Sequence, residues 1–394
     1  MKAYLYLEDG TVFCGTHAGA KKETISEMVF NTSMAGYPEV LTDPSYAGQA
    51  VCMTYPLIGN YGVIREDMES KRIWMDGFIV RELSPKPSNF RSDITIQDFL
   101  LKYDIPCICG IDTRALTKRL RTNGTMNGCI STVKYEGAAL EELLKKIREY
   151  SVKGVVRKVT CREKYVVKGS ESLSDNGPIA GSSVYTGSHE KRPSYVYDLS
   201  AKGLKIALLD LGLKENIVKS LAMRGADVTV YPAYTPASEI LADAPDGIML
   251  SNGPGDPKDC PEIIEELKKI YASDIPVFAI CLGHQLMALA NGADTHKMHY
   301  GHRGGNHPVK DLETGRVYIS SQNHGYVVDT DGLDPKIAVP AFVNVNDGTN
   351  EGLKYTGKNI FTVQFHPESC PGPGDTAYLF DRFAEMIKGG KHNA

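Results

Sequence analysis

Cys281 is the residue of this sequence best placed for covalent chemistry. It follows the apolar run Pro276-Val-Phe-Ala-Ile280 and precedes Leu282-Gly-His-Gln285 and the helical Leu286-Met-Ala-Leu-Ala290. A nucleophile at such a strand-to-helix turn, with small residues two before (Ala279) and two after (Gly283), is exposed at the top of a sheet. The first amides of the following helix favour the thiolate. A thiol with an ordinary pKa near ~8.5 is only slightly ionised at pH 7, so it needs a base, and the base needs an orienting partner. Phe361-Thr-Val-Gln-Phe365 reads as a strand that delivers His366-Pro-Glu368 to its carboxyl end. Pro367 stiffens that turn, and Glu368 can hold one imidazole nitrogen while the other faces Cys281. Taken singly, a buried inert cysteine explains the first segment equally well, and a plain surface turn explains the second better.

Such groups need a scaffold, and the chain supplies one from Leu204 onward. Strands are expected at Lys205 to Asp210, Asp227 to Tyr231, Gly247 to Ser251 and Pro276 to Ile280, with helices at Lys214 to Arg224, Ala237 to Ala242 and Glu262 to Tyr271. This alternation predicts an α/β domain with a central, mostly parallel sheet covered on both faces, with ligands at the carboxyl ends of its strands. Residues 1–160 read instead as a mixed α+β domain. Asp9-Gly10 signals a hairpin, and Asp112 caps a helix from Thr113 to Arg121 that ends before Gly124. Residues 161–203, rich in Ser and Gly over 168–200, read as a linker, which leaves 204–394 as the second domain.

Composition narrows the function classes. The chain has 394 residues, a net charge of −4, 23% charged and 42% hydrophobic residues, which describes a folded protein without a footprint for nucleic acid or a membrane surface. No run approaches the ~20 apolar residues of a membrane span, and the opening residues lack the plan of a signal peptide. Nine cysteines, an odd number in a long chain, fit reduced thiols and a cytoplasmic location. His296, His299, His302 and His307 suggest a metal, but no carboxylate or cysteine set adjoins them and glycines interrupt the stretch, so no metal is expected and the segment reads as a structural loop.

The ordered set Ser251-Asn-Gly-Pro-Gly-Asp-Pro257, Cys281-Leu-Gly-His-Gln285, Gln322-Asn-His-Gly325 and His366-Pro-Glu368 resembles the class I, triad-type glutamine amidotransferases over about residues 204 to 388. Val29-Phe-Asn-Thr-Ser-Met-Ala-Gly-Tyr37, Leu41-Thr-Asp-Pro-Ser-Tyr-Ala-Gly-Gln49, Tyr55-Pro-Leu-Ile-Gly-Asn60, Gly110-Ile-Asp-Thr-Arg-Ala-Leu116 and Gly301-His-Arg-Gly-Gly-Asn-His-Pro308 extend it. Together they are similar to the small, glutaminase subunits of carbamoyl-phosphate synthetases.

The resemblance implies that Cys281 attacks the side-chain amide of L-glutamine, His366 moves the proton and Glu368 orients His366. It implies glutamine-binding roles for Ser45, Gly253, Gly255, Leu282, Gln285, Asn323, Gly325 and Tyr326, with the amides of Leu282 and Gly253 as oxyanion donors. Glycine at 253 and 255 lets the backbone approach a substrate, and the Gln285 amide can offer both a donor and an acceptor. Without the resemblance Ser45 is a turn residue. The implied partner is a large synthetase subunit that receives ammonia through an internal tunnel and makes carbamoyl phosphate from bicarbonate and two ATP, for arginine and pyrimidine synthesis. No cofactor is expected in this chain; ATP and a divalent metal belong to the large subunit, and no Walker A pattern occurs here. Two departures stand out: Ala279 where the family often has Gly, and Cys370 where it usually has Ser. The open alternatives are the glutaminase subunit of another amidotransferase, for anthranilate or guanylate synthesis, and a docking or regulatory module with an inactive glutaminase fold.

Overall fold

The computed structural model describes residues 1–169, 199–369 and 371–392. Most of the Ser/Gly-rich stretch 168–200, and Cys370, lie outside these residues.

In the N-terminal half, seven strands close into a barrel in the order Lys2–Leu7, Val12–Gly19, Pro106–Cys109, Gly77–Val80, Gln49–Met53, Thr24–Asn31 and Met126–Ser131. The Asp9-Gly10 hairpin is present: Tyr6 pairs with Val12, and Gly10 adopts φ +87°. Strand alternation sorts the core into two sets. Leu5, Ala50, Cys52, Ile79, Ile108 and Ile130 pack with Leu116 and Leu120 of the helix Thr113–Asn123. Val29, Val51, Met53, Phe78 and Val80 pack against the helices Tyr37–Thr42 and Ile96–Lys102. Asp112 caps the helix Thr113–Asn123 through the amide of Ala115, and Gly124 ends it at φ +93°.

The C-terminal half is built on a ten-stranded sheet. Its centre, in the order Asp227–Pro232, Lys205–Asp210, Gly247–Leu250, Val277–Ile280 and Ile360–Val363, is parallel, as the β-α alternation predicts. Alternate residues again divide between two faces. Leu209, Leu250 and Ala279 meet the helices Pro261–Ala272 and Leu282–Ala290. Leu208, Met249, Phe278 and Ile280 meet the helices Glu215–Met223 and Tyr378–His392.

Two features differ from the sequence reading. Within the stretch assigned to a linker, Tyr165–Val167 is an edge strand that pairs antiparallel with Asp227–Pro232. It is short and abuts Ser- and Gly-rich chain, so its β-prone Tyr-Val-Val was outweighed. The histidine-rich segment is not a loop. Asp294–Asp311 forms an 18-residue strand paired with Val317–Asp329, which also carries Asn323 to Tyr326. The glycines are absorbed by register shifts between Lys297 and His302 and between Gly304 and His307.

This antiparallel flank, the end of the parallel centre and the helix Glu215–Met223 all meet the barrel. Asn323 Nδ2 donates to Asp43 Oδ2 at 2.8 Å, Asn252 Nδ2 to Ser45 Oγ at 2.9 Å and Asn216 Nδ2 to Glu69 Oε1 at 2.7 Å. The carbonyl of Arg303 accepts from the amide of Thr32 at 3.2 Å. These contacts are largely buried, so breaking them strands polar groups away from water at ~1–3 kcal/mol each. No helix among the described residues is long and apolar enough to cross a membrane.

Candidate active site

The parallel strand Val277–Ile280 ends at Cys281, which caps the helix Leu282–Ala290. Cys281 is buried and adopts φ +52° and ψ −106°, a conformation a non-glycine residue rarely holds. Such strain costs ~1–3 kcal/mol and persists where the surroundings over-determine it. Here the Cys281 amide donates to the Val363 carbonyl at 2.8 Å, and the Gly283 amide to that of Ser251 at 3.1 Å. Gly283 has no room for a side chain, because a Cβ there would lie 2.7 Å from Leu250 Cβ and 2.9 Å from the Ser251 carbonyl. The methyl of Ala279 is buried in the sheet core.

The neighbouring strand Ile360–Val363 leads to His366, whose amide donates to the Ser321 carbonyl at 2.9 Å. His366 Nδ1 lies 2.7 Å from Glu368 Oε1. Nε2 is buried with no hydrogen-bond partner among the described residues. Burial alone would depress this imidazole, but the Glu368 carboxylate and the nearby Cys281 thiol hold it well above the ordinary range, with Lys214 opposing. Glu368 is held low despite burial, by the Lys214 ammonium and by His366.

Lys214 is a participant that the sequence reading missed. It is buried, and its Nζ donates to Glu368 Oε1 at 3.0 Å and to the Ser369 carbonyl at 2.8 Å. Asp210 shapes the turn before it by accepting from the amides of Gly212 and Leu213 at 2.9 and 2.8 Å, and Asn252 Oδ1 accepts from the Lys214 amide at 3.0 Å. A lysine just past the carboxyl end of a parallel strand is a signal that could have found it. From the barrel, buried Glu69 sits within Coulombic reach of this pair. Burial pushes its carboxyl up to about 7, Lys214 lowering it and Glu368 raising it.

The thiol opens onto a cavity of about 300 Å³ between the domains, lined among others by Ser45, Gly253, Gly255, Gln285, Asn323, Gly325 and Tyr326 as well as Cys281. Seven of the eight residues expected to bind glutamine therefore meet in one space. The eighth, Leu282, opens the helix directly after Cys281, and neither its amide nor that of Gly253 has a hydrogen-bond acceptor among the described residues. Gly253 is obligatory, since a Cβ would lie 2.2 Å from the Leu211 carbonyl. Asn323 accepts from Cys281 Sγ through its carbonyl at 3.7 Å. Ser45 is set by Asp43, whose carboxylate accepts from the Ser45 amide at 2.9 Å and also from Asn323. Gln285 departs from expectation. Its Nε2 is spent on the carbonyl of Tyr326 and on Gln364 Oε1, both at 2.9 Å, which leaves Oε1 as the atom to face a ligand.

His302, with His324 and Glu351, brings one potential metal ligand each to within 4.8 Å. These atoms are engaged in a polar network instead. His302 Nδ1 lies 3.4 Å from Glu351 Oε1, His324 Nε2 lies 2.9 Å from Gln322 Oε1, and Gln322 donates to Glu351 at 3.0 Å. His296 pairs with Asp329 and His299 with the carbonyl of Thr122.

A buried Cys-His-Glu set, two amides without an acceptor among the described residues and an interdomain cavity suit attack on a small carbonyl compound. Comparison with known proteins agrees. Residues 5–130 match the family model "Carbamoyl-phosphate synthase small chain, CPSase domain", and residues 207–386 match "Glutamine amidotransferase class-I". The chain is 46% identical over 389 residues to the carbamoyl phosphate synthase small chain of Syntrophotalea carbinolica, covering 98% of each protein. It is 47% identical over 383 residues to that of Clostridium perfringens, covering 97% of this chain and 99% of the relative. With the small chain of Listeria monocytogenes serotype 4b it shares 47% identity over 388 residues, 98% of this chain and 97% of the relative. The chain belongs to the carbamoyl-phosphate synthase small chain family.

Proposed function

We propose that this chain is the glutaminase component of a two-subunit carbamoyl-phosphate synthase. It hydrolyses the side-chain amide of L-glutamine and delivers ammonia to the large synthetase subunit, which makes carbamoyl phosphate for arginine and pyrimidine synthesis. The observation that carries this reading is the pairing of a strained, buried Cys281 with a His366 whose Nδ1 is held by Glu368, which leaves Nε2 for the thiol.

In the first half-reaction Cys281 sulfur attacks the amide carbon and the carbonyl oxygen becomes an oxyanion, received by the amides of Leu282 and Gly253. Losing one such donor typically costs ~10²–10³ in rate. His366 holds the proton displaced from the thiol and gives it to the departing nitrogen. Glu368 favours the imidazolium that this step needs. The C–N bond breaks, ammonia leaves and a glutamyl thioester remains. In the second half-reaction water adds to the thioester carbon, His366 accepts its proton, and the C–S bond breaks to release glutamate and restore the thiol. Ser45, Gly255, Gln285, Asn323, Gly325 and Tyr326 surround the amino-acid end of the substrate.

The test is Cys281→Ser in the assembled two-subunit complex. Glutamine-dependent carbamoyl phosphate synthesis should vanish and ammonia-dependent synthesis should persist. Equal loss of both would refute the division of labour, and undiminished glutamine turnover would refute the nucleophile.

A further inference from the structure

Arg303 is a buried cation with no carboxylate in contact among the described residues; Glu27 acts on it only through space. It lies opposite Asn323 on the strand Asp294–Asp311, lines the same cavity as Cys281, and is only 4% exposed. Nη1 donates to the Tyr300 carbonyl at 2.7 Å. Nε is buried with no hydrogen-bond partner, and no carboxylate among the described residues comes within 4.0 Å of the guanidinium. The nearest acid of the cavity, Glu27, is already held by Lys297, by Gln49 at 2.7 Å and by Thr125 at 3.2 Å. A guanidinium cannot shed its proton to escape burial, and an uncompensated buried charge is strongly unfavourable. Glu27 acts on the guanidinium only through space, which leaves its N–H groups for an anion supplied from elsewhere.

Two observations say where that anion sits. A Cβ built on Gly325 would lie 3.1 Å from Nη2, so this nitrogen adjoins the strand segment Asn323 to Tyr326 that faces the cavity. A Cβ on Gly301 would lie 2.6 Å from Nη1, so the glycine there holds space for the guanidinium in this position. The cavity must accept an amino acid whose amide carbon meets Cys281 and whose α-carboxylate lies at the far end of its side chain. A planar guanidinium with free N–H groups is the side chain best matched to a carboxylate.

We propose that Arg303 is a specificity-determining residue whose guanidinium pairs with the α-carboxylate of bound glutamine. This rests on the glutaminase reading above and adds to it the group that selects an amino acid over a simple amide.

The experiment compares L-glutamine with 4-aminobutanamide, the same amide without its carboxylate, on the complete two-subunit complex carrying Arg303→Met or Arg303→Lys. A charged hydrogen bond lost from the substrate alone corresponds to about 10- to 150-fold. Arg303→Met should raise KM for glutamine by that factor with kcat changed only a few-fold, and leave turnover of 4-aminobutanamide unchanged. Arg303→Lys should recover part of the loss. Alkylation of Cys281 by iodoacetamide should keep its rate. Equal losses on both amides, or no loss on either, would overturn the proposal. Slower alkylation in proportion to lost turnover would also overturn it, assigning the charge to the sulfur. If Arg303→Met fails to co-elute with the large subunit, the lysine variant and the unmodified complex decide. The unmodified complex must prefer glutamine by at least about 10-fold in kcat/KM, and parity overturns the proposal. An unmodified complex that hydrolyses neither amide through Cys281 would instead refute the glutaminase reading.

Discussion

Replacing Glu368 by glutamine keeps the shape of the side chain and removes the charge on which His366 and Lys214 both depend. The carboxylate lies 2.7 Å from His366 Nδ1 and 3.0 Å from Lys214 Nζ, all three groups being buried. A charge-assisted hydrogen bond of this kind is worth ~1.5–3 kcal/mol, or ~1–2 pKa units of His366. Burial and Lys214 then push the imidazole down with only the Cys281 thiol opposing them, and the imidazolium is less favoured than in the wild type. Glutamine hydrolysis by the complex should fall by about 10- to 150-fold in kcat. His366→Asn should cost more, since it removes the proton carrier itself. Stability carries a second signature. Stripping a buried cation of its partner usually costs ~3–5 kcal/mol. Glu69, pushed up to about 7, loses a like-charged neighbour in this variant and ionises more readily, which compensates Lys214. The destabilisation should therefore be larger at pH 6, where Glu69 keeps its proton, than at pH 8. Urea unfolding of wild type and Glu368→Gln at the two pH values, with glutamine turnover measured alongside, tests both parts. A stability loss independent of pH, or a turnover loss equal to that of His366→Asn, would refute the reasoning.

Two further outcomes follow from the same geometry. Glu69 has its pKa raised from 4.5 to about 7 in the folded chain, so between those values the native state binds the proton that the unfolded state has lost. Its contribution is complete below pH 4.5 and declines as pH rises to 7, by at most about 3 kcal/mol. The stability difference between wild type and Glu69→Gln, measured by denaturant unfolding, should fall across that window, and a difference that is flat with pH would mean Glu69 is ionised throughout. Gly283→Ala should cost ~1–3 kcal/mol, because its Cβ would lie 2.7 Å from Leu250 Cβ and 2.8 Å from the Leu250 carbonyl. Gly374→Ala, with nothing within 4 Å, should leave Tm within a degree or two of wild type and serves as the control.

Several parts of the molecule were legible in the residues alone because short-range physics specifies them. The Asp9-Gly10 hairpin and the Asp112 cap follow from turn and capping chemistry within a few positions. The strand Val277–Ile280, the turn at Cys281 and the helix after it follow from an apolar run broken by small residues, and the parallel centre of the second sheet follows from the β-α rhythm. His366 and Glu368 are two residues apart, so their contact is almost local. Other features were decided only by packing. Asn323 meets Asp43 across 280 positions and Asn252 meets Ser45 across 207, contacts that exist because the barrel docks on the second domain. Lys214 reaches Glu368 across 154 positions because sheet order brings their strand ends together. The long strand Asp294–Asp311 lacks the alternation of a one-sided sheet, since it serves a partner strand, the cavity and the barrel at once. Charge states belong to this second group too. Nothing in one dimension marks Glu69 or Arg303 as buried charges, and only burial between two domains pushes the first carboxyl up and leaves the second side chain without a carboxylate in contact among the described residues.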